Sequence, residues 1–162
     1  MFKTLKMKKL VLLLLIIPFI SLGQIGSTEK ASVGKTIGKA EWYGNWYAEL
    51  KKTNVDNKDY YVLSYKNAEY QTIFDIHSIG FYATEAELEY LFNELKKGFK
   101  SKEELKLNIG KTTIMFRKFM KSNIYISNLD GSGSWFSIPP NLFYELFGKK
   151  YDKKEFKSYL KS

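Results

Sequence analysis

The chain has 162 residues, 26 of them basic and 17 acidic, with 12 Tyr, 12 Phe, 3 Trp, one His and no Cys. The missing thiols exclude disulfides, thiolate metal ligands and a cysteine nucleophile, so stability has to come from the packing of large aromatic side chains. Arg117 is the only arginine, and the lysines are interspersed with glutamates, as in Glu94 to Lys106, which argues against the basic recognition face of a nucleic-acid binder.

The chain opens with an address. Lys3, Lys6, Lys8 and Lys9 precede an apolar run from Leu10 to Ile20, and the small residues of Ser21-Leu22-Gly23 follow it. Those eleven apolar residues are too few for a membrane-spanning helix, which needs about 20. Basic, apolar and small residues in that order predict a signal peptide over residues 1–23, cleaved after Gly23. No cysteine follows to carry a lipid, so no stable membrane anchor is expected after processing, and the expected location is periplasmic or secreted. Removing 23 residues leaves 139, with 22 basic and 17 acidic side chains and a net charge of +5. That length suits one domain with its own core.

Residues 24–35 are small or polar and predict a flexible leader; the single domain is expected over 36–162. Runs rich in Tyr, Ile, Val, Phe and Trp predict strands at Thr36 to Tyr43, Trp46 to Lys51, Tyr60 to Tyr65 and Thr72 to Ala83, the last with a break near Ser78-Ile79-Gly80. A helix over 84–97 follows from several agreeing signals. Thr84 and Glu87 form a capping box, Leu88, Leu91, Phe92 and Leu95 recur at helical spacing, and Gly98 can close the end. Strands resume at Glu104 to Ile109, Thr112 to Phe119, Asn123 to Ser127 and Ser134 to Ile138. A second helix opens at Pro139-Pro140 and stops at Gly148; a third spans Asp152 to Leu160, with Asp152 and Glu155 repeating the capping-box pattern.

The resulting fold class is α+β, with seven to eight short antiparallel strands and two to three helices packed on one face. Phe81 to Phe92 set beside Trp135 to Leu146 aligns two strand-to-helix junctions, so the chain reads as a tandem repeat of a strand meander closed by a helix. Two such meanders would join edges into one sheet whose other face is free to bind.

Chemistry-bearing motifs are sparse. Asp75 and His77 lie two apart on an expected strand and project from one face, where a carboxylate can orient an imidazole; they form the candidate polar site. No G-x-S-x-G surrounds a serine, so no catalytic residue is assigned. The GKT tripeptides at Gly34 and Gly110 lack the glycine five residues upstream that a phosphate loop needs, Glu29 and Leu105 standing there. Asn128, Asp130 and Ser132 alternate as in a calcium loop, but Pro139 occupies the twelfth position, where a bidentate carboxylate belongs. No metal or other cofactor is expected. A carboxylate-pair glycosidase has no fixed spacing, and no pair of acids stands out.

The strongest recognition candidate is the segment Glu41 to Leu50. With Gly44-Asn45 as a two-residue turn, Tyr43 faces Trp46 and Trp42 faces Tyr47, one aromatic pair on each side of a hairpin. The expectation is an exported, non-catalytic protein that contacts an envelope or secreted protein through Trp42, Tyr43, Trp46 and Tyr47, as an inhibitor or accessory subunit. A glycan-binding or glycan-cleaving envelope module is the alternative, and a purely structural envelope protein a third; nucleic acid is not an expected partner.

Overall fold

The computed structural model describes residues 34–70, 72–120 and 122–162; the expected signal peptide and the leader as far as residue 33 lie outside the described residues. Four strands, β1 (Lys35–Trp42), β2 (Asn45–Val55), β3 (Lys58–Lys66) and β4 (Ile76–Tyr82), lead into helix α1 (Glu85–Lys96) and a 3₁₀ turn (Lys97–Phe99). Four more, β5 (Leu105–Ile109), β6 (Thr112–Phe119), β7 (Asn123–Asn128) and β8 (Trp135–Ile138), lead into α2 (Pro140–Leu146) and α3 (Lys153–Lys161). The α+β class and the element order match the sequence expectation. β1 begins at Lys35, paired with Lys52, one residue ahead of the expected domain start.

The two meanders do not join into one sheet. Each forms its own four-stranded antiparallel sheet with strands in sequence order. The β5–β6 turn packs against β4: a side-chain carbon at Gly110 would lie 3.2 Å from both Gly80 O and Phe81 Cβ. The sheets meet instead at the β3 and β8 end, where Tyr65 stacks on Phe136 at 4.8 Å and the Ala68 N–H donates to Trp135 O at 2.8 Å.

Two strand boundaries differ from the sequence reading. β2 runs on to Val55 although Lys52, Thr53 and Asn54 look like loop, because Asp56 and Asn57 both take positive φ (51° and 59°) and close a tight turn that keeps β2 and β3 paired to Val55 and Lys58. β4 passes unbroken through Ser78-Ile79-Gly80, which pair with Ser64, Leu63 and Val62, while residues 72–75 belong to the preceding loop.

The helices start where their sequence signals lie, but Gly98 does not close α1: the helix ends at Lys96 and the chain tightens into the 3₁₀ turn through Gly98, which is not among the glycines of positive φ. Glu87 accepts from the Thr84 N–H at 2.7 Å and the Glu87 N–H donates to Thr84 Oγ1 at 3.2 Å, closing the capping box of α1. Pro139 and Pro140 open α2, and Gly148, at φ 64°, donates to Glu145 O beyond its end. Asp152 caps α3 by accepting from the Lys154 and Glu155 N–H groups at 2.7 and 3.0 Å, with no return bond from the Glu155 side chain.

The core is a single aromatic cluster. Phe143 lies 5.1 Å from Phe92, 5.2 Å from Phe99 and 5.2 Å from Phe147, and Phe99 meets Phe156 edge-on at 5.2 Å. Inward positions of both sheets, among them Leu50, Tyr61, Leu63, Ile114, Phe116, Ile124 and Ile138, complete it. Packing is crossed between the halves. The helix that ends the second half lies on β1 of the first, so closely that a side chain at Gly38 would fall 1.9 Å from Glu145 O. The 3₁₀ turn that ends the first half sits on the second sheet, where a side chain at Gly98 would fall 2.8 Å from Ile124 Cδ1 and 2.9 Å from Phe116 Cδ2. Each half therefore supplies part of the other's cover. Among the described residues no helix is long and apolar enough to cross a membrane.

Candidate functional site

The β1–β2 hairpin turns one residue earlier than its sequence implies. Its central residues are Tyr43 and Gly44, with φ of 48° and 75°, the left-handed pair that a type I′ turn requires. Trp42 therefore pairs with Asn45 and Glu41 with Trp46, and neither aromatic pair expected across the ribbon forms. The register then shifts between Ala40 and Glu41, leaving Tyr47 as an extra residue on β2. That bulge lets Ala40 and Ala48 both remain in the core and turns Tyr47 toward it.

The four predicted aromatics consequently separate. Tyr43 is 89% exposed at the tip, with the Trp42 ring 5.3 Å away and 58% exposed. Trp46 reaches across to Phe74 in the β3–β4 loop, 6.0 Å between ring centres. Phe74 is 64% exposed, and Tyr70, Ile73 and Ile76 of the same segment are exposed as well. An apolar surface thus spans two segments, the hairpin tip and a stretch holding Tyr70, Ile73, Phe74 and Ile76, bridged by the Trp46–Phe74 contact.

Asp75 and His77 are brought together as expected: His77 Nε2 lies 3.1 Å from Asp75 Oδ2. They belong to a larger polar seam. Asn67, 1% exposed, donates from Nδ2 to Asp75 Oδ2 at 3.0 Å and accepts at Oδ1 from the Glu69 and Trp135 N–H groups, each at 3.2 Å. The His77 ring stacks on Tyr65 at 6.0 Å, and the Tyr65 hydroxyl bonds Ser134 Oγ at 2.7 Å. Hydrogen bonds from Asn67 and then His77 hold the Asp75 carboxyl below the usual aspartate range, whereas burial pushes the Tyr65 phenol up. No serine or tyrosine hydroxyl among the described residues hydrogen-bonds the imidazole. The pair's geometry serves a clamp that fastens the loop bearing Phe74 to β8.

The Asn128 to Ser134 loop turns its oxygens onto its own backbone. Asn128 Oδ1 accepts from the Asp130 N–H at 3.0 Å, and Asp130 Oδ1 from the Ser132 N–H at 2.8 Å. The hydroxyl and N–H of Ser132 hold the Asp130 carboxyl low. A groove of about 560 Å³ beside the β2–β3 turn gathers Asp59, Glu85 and Glu87. Asp59 is bound to Lys52 at 2.8 Å and Glu87 to its capping role, so these acids are fold elements.

Between the end of β3, the edge of β8 and the β6–β7 turn lies a cleft of about 530 Å³, lined by Tyr47, Lys66, Phe119, Asn123, Trp135 and Ser137 among others. Trp135 is backed by Tyr125 at 5.2 Å and met by Phe119 at 6.1 Å, and the Arg117 guanidinium lies 5.3 Å from the Tyr125 ring. Sequence reasoning missed Asn67, Phe74, Phe119 and Trp135. The signal available for the last two was alternation, which places Phe119, Tyr125 and Trp135 on one face of their strands, opposite Phe116, Ile126 and Phe136. Comparison with protein-family models, with curated proteins and with solved structures finds no match.

Proposed function

We propose that this chain is an exported binding protein that docks another envelope or secreted protein, as an inhibitor or accessory subunit, through the β1–β2 hairpin tip and residues 70–76. One observation carries the reading: six exposed large apolar residues, Trp42, Tyr43, Tyr70, Ile73, Phe74 and Ile76, lie in two neighbouring segments joined by the Trp46–Phe74 contact. An exposed apolar cluster of this kind marks an interaction site, and Trp and Tyr are the residues that most often dominate protein interfaces. The buried Asn67 amide and its bonds to Asp75 and Trp135 fix the base of the second segment, so its side chains are held in place before a partner arrives.

The test is copurification from the native cell with the tagged full chain and with a Trp42→Ser/Phe74→Ser variant, followed by mass spectrometry. The reading expects one stoichiometric protein with the native chain and its loss with the variant at equal abundance and unchanged melting temperature. Identical copurifying sets, or none from either chain, would count against it.

A further inference from the structure

The cleft beside β8 has a chemistry of its own and adjoins the docking surface at Lys66, whose Nζ lies 5.5 Å from the centre of the Phe74 ring. Its volume of about 530 Å³ falls within the range of roughly 300–1,000 Å³ occupied by small-ligand sites. Its walls combine three kinds of group. Tyr47, Phe119 and Trp135 offer aromatic surface, and Trp135 is kept in place by Tyr125 at 5.2 Å and Phe119 at 6.1 Å. Asn123 and Ser137, adjacent on the rim, join through one amide N–H and the hydroxyl oxygen at 3.3 Å. Among the described residues the second N–H, the amide oxygen and the hydroxyl hydrogen make no other side-chain hydrogen bond and can meet ligand hydroxyls. Among the described residues Lys66 is the one cation of the lining, no carboxylate lines the cleft, and Lys66 forms no ion pair.

Each kind of group constrains the occupant. Aromatic rings cover flat surfaces that present C–H groups, as the faces of a pyranose do, while paired donors and acceptors at the ring edge suit vicinal hydroxyls. A lone ammonium with no acid beside it favours a ligand that brings a negative charge. A nucleotide base would share the stacking, but among the described residues the rim holds no arginine and no cluster of cations for a polyphosphate. We infer that the cleft is a binding site for a short acidic oligosaccharide, its ring stacked on Trp135 and Phe119, its hydroxyls on Asn123 and Ser137, and its carboxylate on Lys66.

The test uses the full chain carrying Trp42→Phe and Trp46→Phe, which leaves Trp135 as the only tryptophan and so reports from the cleft wall. Two acidic probes are titrated, a galacturonic acid trimer and the disaccharide of N-acetylglucosamine and N-acetylmuramic acid, against neutral maltotriose. The inference expects a saturable change in Trp135 emission with at least one acidic probe and a markedly weaker response to maltotriose. Lys66→Gln should weaken the acidic probe about tenfold, the loss of one charge-assisted bond, without altering the response to maltotriose. Ser137→Ala should weaken both by a few fold. No saturable response to either acidic probe at tens of millimolar overturns the inference, as does binding that Lys66→Gln leaves unchanged. Lys66 is only half-buried, so that variant stays informative even if Ser137→Ala disturbs the fold.

Discussion

The two sheets share a strand order and differ in their outward faces. Across the first runs a row of Lys39, Glu49, Ser64 and Ser78, in register from β1 to β4. Lys51 and Lys39 flank Glu49 at 3.1 and 3.7 Å, and the two serine hydroxyls bond at 2.8 Å. Across the second run Arg117, Tyr125 and Ser137, with Trp135 and Phe119 beside them. The inward faces obey one rule in both, apolar and closed over a common aromatic core. What an interior needs is therefore the same twice over, and the difference lies in the surface that folding leaves undetermined. The first sheet uses that surface for solvent; its distinctive apolar groups sit at its end, on the hairpin and the 70–76 loop.

The largest effects should come from the shared core. Phe143→Ala removes a ring that touches aromatics from both halves and is expected to cost about 3–5 kcal/mol. Denaturation followed separately through Trp46 and Trp135, in single-tryptophan variants, should shift at one midpoint for both; two midpoints would split the halves. Gly38→Ala forces a methyl against the Glu145 carbonyl, a backbone atom that cannot swing away, and should approach or exceed that cost. Gly98→Ala meets only the ends of the Ile124 and Phe116 side chains and should cost about 1–3 kcal/mol. Equal losses at the two glycines, read from urea midpoints, would mean that the crossed helices are less tightly seated on β1 than the distances imply.

Acidification provides a smaller probe with one carboxylate in each half. Asp75 is held low by Asn67 and His77, and Asp130 by Ser132. A folded pKa below the unfolded one contributes stability that is complete above the ordinary aspartate value of about 3.9 and is lost as the pH falls through the folded value. The melting temperature should accordingly decline below about pH 4, and Asp130→Asn should flatten its share of that decline. The Glu87 and Asp152 caps act with the same sign. Smallest of all should be changes on the outward faces: Lys51→Ala and Trp42→Ser should each stay within about 0.5 kcal/mol of the native stability, measured by urea denaturation.

Local signals were legible and distant ones were not. Thr84 with Glu87, Pro139-Pro140 and Gly148 announce helix ends because each cap is made by residues three or four apart. The hairpin was misplaced by one residue because Gly44 can serve as either central residue of a two-residue turn, and the choice is settled by keeping Ala40 and Ala48 inside through the bulge at Tyr47. The division into two sheets is a matter of long-range packing, such as that of Gly110 on β4, thirty residues away in sequence, which no local pattern encodes. At the candidate site, the Asp75–His77 pair was visible from its spacing. Asn67 was not, since a lone asparagine in a polar turn gives no sign that its amide binds β8, and Phe74 found Trp46 only once the chain had folded.

Tyr43 holds a left-handed backbone, at φ 48°, that asparagine or glycine would adopt with less strain. Replacing it by asparagine should therefore make the hairpin more stable, by on the order of 0.5–1 kcal/mol, while removing the most exposed aromatic ring among the described residues. Few surface positions set the two demands so plainly against each other. A library selected only for thermal resistance would drift toward asparagine at residue 43, and one selected for capture of a protein that copurifies with the native chain would hold tyrosine there if the proposed docking role is right, so the residue that emerges reports which demand the hairpin tip answers.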